Sequence, residues 1–184
     1  MKIKYNSPVI LSFAILSFLV LILKYITFDF TNELIFSTKS FALWNPLSWI
    51  TLLTHSLGHS SFEHYIGNMM TILLIGPLLE EKYGSKNLLI MMTITSIAIG
   101  LVNYFIFTNV YVLGASGIAF MLILLASLTS FREKEIPLTF IFVVILYLSG
   151  EIFNGMFAKD NIAQFSHIIG GICGAVLGYK MKKY

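Results

Sequence analysis

The stretch PVILSFAILSFLVLILKYITF, residues 8–28, decides the fold. Lys24 is its only charge. At 1.5 Å per helical residue the run reaches about 30 Å, the thickness of the hydrocarbon core of a bilayer. Lys2 and Lys4 precede it as they would a secretory signal, but its end, Lys24-Tyr25-Ile26-Thr27-Phe28, has no small-residue cleavage site. The segment therefore reads as a retained transmembrane helix. Working outward, five more segments qualify or nearly qualify: 62–79, 87–107, 115–131, 136–153 and 162–181. The expectation is an all-α, polytopic membrane protein, one domain over residues 1–184 with six transmembrane helices and an outer loop at 29–61.

Composition agrees. Of the 184 residues 57% are hydrophobic and 11% charged, and mean hydropathy is +0.84. A soluble domain carries roughly 25% charged residues. Too little charge remains to cover a water-facing surface, which excludes most soluble enzymes and a nucleic-acid binder working through a basic face. The net charge of +3 matters less than its placement. With the N-terminus inside, Lys2, Lys4, Lys82, Lys86, Arg132, Lys134, Lys180, Lys182 and Lys183 fall on the cytoplasmic side. Lys39 and Lys159 fall outside, and Lys24 near the boundary. This bias puts both termini in the cytoplasm. In the outer loop, Phe41 to Leu53 is apolar, with Trp44 and Trp49, and Pro46 breaks it into short helical turns at the membrane interface. Cys173, the single cysteine, has no partner for a disulfide and reads as packing filler.

Polar groups inside spans are costly and are functional candidates. Here they gather in the outer half. His64 and Asn68 lie near the outer end of the second span, Ser116 near the outer end of the fourth, and His167 about five residues into the sixth. Ser116 stands between glycines in Gly114-Ala115-Ser116-Gly117, where a substrate backbone can come close. It also opens a helix, whose free N–H groups suit a developing oxyanion. The fourth span is short, so Ser116 lies below the outer surface. At 100° per residue His167, Gly171, Gly174 and Gly178 share one face, and glycines four apart let membrane helices approach closely. Such a contact with the fourth span would bring His167, a base of suitable pKa, to the Ser116 hydroxyl. His64 and Asn68, four apart, project from one face and both can donate hydrogen bonds. Taken singly, each residue also fits a structural role, as a serine at a small-residue contact or as polar glue between helices.

His55, His59 and His64 also invite a metal reading. No cysteine joins them, Glu63 faces away from His64, and His59-Ser60-Ser61 has the pattern of a helix start. The spacing favours His55 and His59 at the water interface, shaping an entrance. Glu80 and Glu81 end the second span far from Ser116 and are expected to cap or tie the cytoplasmic loop. Glu151 reads as a water-facing charge near the outer end of the fifth span. Phe120, one turn after Ser116, is placed to pack on the ring of His167.

These residues resemble the rhomboid intramembrane serine proteases, over about Trp49 to Gly178. The matching pieces are His59 with His64-Tyr65-Ile66-Gly67-Asn68-Met69, Glu81-Lys82-Tyr83-Gly84-Ser85, Gly114-Ala115-Ser116-Gly117, and Ser166-His167-Ile168-Ile169-Gly170 with Gly174. The resemblance implies a six-helix bundle and a serine–histidine dyad, with Ser116 as nucleophile and His167 as general base. It implies His64 and Asn68 as oxyanion-hole side chains and Gly114 and Gly117 as part of the serine loop. It implies a serine endopeptidase needing no metal or cofactor, cleaving transmembrane protein substrates from within the lipid bilayer. The fifth span and its outer loop, Tyr147 to Gln164 with Met156 and Phe157, are implied as the substrate gate. A non-catalytic relative that binds membrane helices is the alternative, and such proteins usually lack the serine or the histidine. Two positions depart from the family pattern. Trp49 is followed by Ile50-Thr51 rather than arginine, and Phe120 stands where tyrosine is common. With no cytosolic extra domain, the expectation is a minimal core form in a bacterial inner membrane. The sequence does not reveal the oligomeric state.

Overall fold

The computed structural model describes residues 5–39, 42, 44–106, 110–128, 138, 141–146, 149 and 162–181. Its elements are α1 (Pro8–Ile26), α2 (Phe30–Leu34), α3 (Pro46–Thr54), α4 (Phe62–Tyr83), α5 (Ser85–Ile106), α6 (Ser116–Ser127), a helical stretch at 141–146 called α7, and α8 (Ile162–Lys180). Among the described residues there is no strand, only one isolated bridge. Two helices, α1 and α5, are long and apolar enough to cross a membrane by length and composition. Large apolar side chains stand exposed along the long helices, for example Leu19 and Leu23 on α1, Met70, Leu74 and Leu78 on α4, Ile94 on α5 and Ile172 on α8. An apolar exterior of this extent fits a lipid surround rather than water.

The helix α6 forms the centre. It packs most extensively against α8 and also against α4 and α5, while α1 lies on α4 and α3 on α5. Met121, Leu122 and Leu125 of α6 are fully buried, together with Ile10, Ile72, Leu88 and Met91 of the surrounding helices. α6 is shorter than the expected 115–131. It stops at Ser127, whose hydroxyl donates to the Leu124 carbonyl at 2.8 Å while the Leu128 N–H tightens back onto Leu124 and Leu125. A serine that bonds back to its own helix competes with continuation. Its 12 residues rise only about 18 Å, and Ala115 just before it is fully buried.

The expected second span ends at Leu79, before two acids. The helix instead continues to Tyr83, and Glu80 is 3% exposed. Its carboxylate accepts the Val9 and Ile10 N–H groups at 3.0 Å each and the Ser85 hydroxyl at 2.7 Å. Those N–H groups begin α1, where no intrahelical acceptor exists and where Ser7 supplies no side-chain cap. Glu80 thus caps a helix seventy residues away, with its negative charge at the positive end of the α1 dipole.

The outer loop is more folded than short interfacial turns. α3 starts at Asn45, whose side chain accepts the Leu47 N–H at 3.0 Å, with Pro46 at the first position. α2 adds a helical turn at Phe30–Leu34 that the sequence pattern does not announce. Beyond it, Thr38 exchanges two backbone hydrogen bonds of 2.9 Å with Val112, in the segment leading to α6. Asn103 of α5 braces the junction, its amide donating to the Thr38 hydroxyl at 2.6 Å. Trp44, 94% exposed, and Trp49, 52% exposed, stay on the outside of this loop. Cys173 is half-buried among apolar neighbours in the position expected of filler.

Candidate active site

A cavity of about 490 Å³ is bordered by His64 and Asn68 of α4, Gly114, Ser116 and Gly117 at the start of α6, and Ser166 and His167 of α8. The expected nucleophile, base, oxyanion-hole side chains and serine-loop glycines therefore border the same space. His55, Ser60, Ile99 and the segment 110–113 complete its wall.

Ser116 is the first residue of α6, with an N–H that has no intrahelical acceptor. The chain enters through Gly114, whose φ of 128° is disfavoured for any residue with a side chain. The Gly114 N–H donates to the His55 carbonyl at 3.0 Å, which anchors the turn to the outer loop. A Cβ at Gly114 would meet the His64 ring at 2.8–2.9 Å and lie 3.9 Å from the Asn68 amide nitrogen. The missing side chain is the reason the His64 ring can approach the serine turn.

α8 reaches this turn through glycine. A Cβ at Gly117 would lie 3.1 Å from the Ser166 carbonyl oxygen, one at Gly170 would collide with the Gly117 carbonyl, and one at Gly174 with that of Met121. The two helices are in backbone contact at the level of Ser116 and His167. Gly170 and Gly174 make this contact backbone to backbone, and Gly178 continues the seam against the Leu125 and Leu128 side chains. The four-residue spacing keeps these three glycines on one seam. Phe120 packs on the His167 ring with centroids 4.3 Å apart, as its position one turn after Ser116 suggests.

α4 starts as its sequence implies. The Ser61 hydroxyl accepts the His64 N–H at 3.1 Å, a serine N-cap. Asn68, one turn beyond His64, is 8% exposed and its amide nitrogen has no hydrogen-bond partner among the described residues. An unsatisfied buried donor is unfavourable unless something else uses it, and this one borders the cavity.

His55 and His59 are not at the water interface. They are 1% and 0% exposed. His55 Nε2 bonds the Ser96 carbonyl in α5 at 3.0 Å, and His59 Nδ1 bonds the Leu57 carbonyl at 3.1 Å. The Asn32 amide donates to the His59 carbonyl at 3.0 Å, and the His59 ring meets those of His64 and Tyr65 edge-on. The outer loop folds into the protein and carries these rings with it. Burial, and secondarily the neighbouring His64, lowers the His59 pKa from 6.5 to about 4. Burial likewise lowers that of His55. The residue that sequence reasoning missed is Ser60, treated only as part of a helix start. It borders the cavity and contacts the His64 ring. Glu151, Met156 and Phe157, and most of the Tyr147 to Gln164 segment, lie outside the described residues.

The family model of the rhomboid domain matches residues 46–184. No curated protein shows a match to the chain.

Proposed function

The chain belongs to the rhomboid family, and from that premise we propose that it is an intramembrane serine endopeptidase. It hydrolyses peptide bonds in or near transmembrane segments of other membrane proteins. The observation that carries the reading is the single cavity bordered by Ser116, His167, His64 and Asn68. These are a hydroxyl nucleophile, an imidazole base and two hydrogen-bond donors, drawn from three helices.

In the proposed reaction a substrate helix enters sideways, between the second and fifth spans, and unwinds locally. The Ser116 hydroxyl attacks the scissile carbonyl as His167 takes its proton. The oxyanion is held by the Ser116 N–H, His64 and Asn68. His167 then gives the proton to the leaving amine. Water attacks the acyl-enzyme with His167 again as base, and the carboxylate product and free Ser116 result. The spare donor on Asn68 supports this assignment. Each donor of an oxyanion hole is typically worth about 10²–10³ in rate. Phe120 on the His167 ring supports a held imidazole at that place. The proposed setting is a bacterial inner membrane, with six spans and both termini cytoplasmic.

The test is labelling of the purified protein by a fluorophosphonate probe, alongside cleavage of a transmembrane substrate in liposomes. Ser116→Ala and His167→Ala are expected to lose both signals while unfolding at the wild-type temperature. Cleavage near the wild-type rate by Ser116→Ala would overturn the assignment. A folded wild type that binds transmembrane helices but cleaves none would point to the helix-binding alternative.

A further inference from the structure

The direction in which the His64 ring carries its proton decides whether it can stabilise an anion. A neutral imidazole has one N–H donor and one bare acceptor nitrogen, and the hydrogen bond made by one nitrogen selects the role of the other. Two groups of Ser60 converge on Nδ1 of His64: the backbone N–H at 3.5 Å and the hydroxyl at 3.1 Å. The backbone N–H can only donate. Nδ1 is therefore the acceptor, the hydroxyl donates to it as well, and the ring proton sits on Nε2.

Nε2 is on the cavity side. A Cβ built on Gly114 would lie 2.9 Å from Nε2, so the Nε2–H projects into the room that the missing side chain leaves beside the serine turn. The opposite tautomer would set Nδ1–H against the Ser60 N–H and turn the bare Nε2 lone pair towards the cavity. An oxyanion there would meet a lone pair in place of a donor. Ser60 and Ser61 divide the work at the start of α4: Ser61 caps the backbone through the His64 N–H at 3.1 Å, and Ser60 addresses the ring.

We propose that Ser60 is a positioning residue that holds His64 in the Nε2–H tautomer, so that this N–H donates to the oxyanion formed at Ser116. The inference rests on the protease reading for its function, but the tautomer is observable without activity. The chain has four histidines, so ¹⁵N-histidine-labelled protein in nanodiscs gives few ring signals, and His64→Gln identifies those of His64. The wild type is expected to show a protonated Nε2 and a bare Nδ1 at His64. Ser60→Ala removes the hydroxyl and leaves only the longer 3.5 Å backbone contact, and is expected to raise the share of the second tautomer at His64 alone. It should lower kcat about fivefold, the worth of one neutral hydrogen bond, with KM unchanged. Ser60→Thr, which keeps the hydroxyl, should restore both. A wild type with Nδ1–H, or a Ser60→Ala protein with wild-type tautomer and kcat, would overturn the proposal. A wild type with the stated tautomer and no cleavage of any transmembrane substrate would support the ring lock and sink the protease reading instead.

Discussion

Gly170→Ala adds one methyl group at the place where α8 meets the start of α6. The new Cβ would overlap the Gly117 carbonyl oxygen and stand 2.8 Å from its carbon and 3.0 Å from the Gly117 Cα. Carbon atoms in contact prefer about 3.5–4.0 Å. The obstacle is backbone, so no side chain can swing aside, and α8 must retreat from α6 by about an ångström. Ser166 and His167 ride on α8 one turn earlier and move with it. A misplacement of about 1 Å at a reacting pair lowers rate by about 10²-fold. Overpacking destabilises by about 1–3 kcal/mol, partly offset by up to about 1 kcal/mol from replacing a helical glycine. The expected result is cleavage slowed about a hundredfold, with a modest fall in unfolding temperature. Gly67→Ala is the matched control: that glycine is also helical, but a Cβ there meets nothing within 4 Å. It should leave the rate unchanged and the protein at least as stable. The assay is the initial rate of transmembrane-substrate cleavage in liposomes, with thermal unfolding in the same detergent for all three proteins. A Gly170→Ala protein within twofold of the wild-type rate would refute the backbone-contact argument.

Two further outcomes follow from buried polar groups. His59 titrates near 6.5 when unfolded and at about 4 in the fold. Below pH 6.5 the unfolded chain therefore binds the extra proton, and stability drains away between pH 6.5 and 4, by on the order of 3 kcal/mol from this group. Denaturant unfolding across that range should show the loss, and His59→Gln should lessen it, leaving the part that buried His55 contributes; parallel curves for the two proteins would contradict the assignment. Glu80→Gln leaves one acceptor oxygen for two α1 N–H groups and a hydroxyl, and sets an amide N–H against one of them. It should destabilise by about 1.5–3 kcal/mol, read as a lower unfolding midpoint; an unchanged midpoint would mean that the α1 cap lies elsewhere.

The parts of this architecture that sequence alone displays are those set by local pattern. The run at 8–28 is long enough to cross a bilayer whatever surrounds it, and α1 occupies most of it. Gly114-Ala115-Ser116-Gly117 marks a helix start because glycine permits the turn, and α6 begins at Ser116. Glycines four apart announce close packing, and Gly170 and Gly174 meet the α6 backbone. What escaped depends on chain segments that meet only in the fold. Nothing near Glu80 says that its partners are Val9 and Ile10. The polarity of His55 and His59 suggests water, but α2, α3 and the Thr38–Val112 bridge draw the outer loop inward and bury both. Ser60 escaped for a different reason: its contact is local, but the spacing Ser60 to His64 reads as a helix cap until the ring orientation is seen.

The seam between α6 and α8 also sets a clock. A ribosome delivers the chain from the N-terminus, and α8 begins at Ile162, so the helix that carries Ser116 enters the membrane well before its glycine-bearing partner exists. Under the proposed mechanism a half-made chain carries the nucleophile without its base. Under that mechanism competence arrives only when α8 docks, and a product stalled before it is inert toward the membrane that holds it.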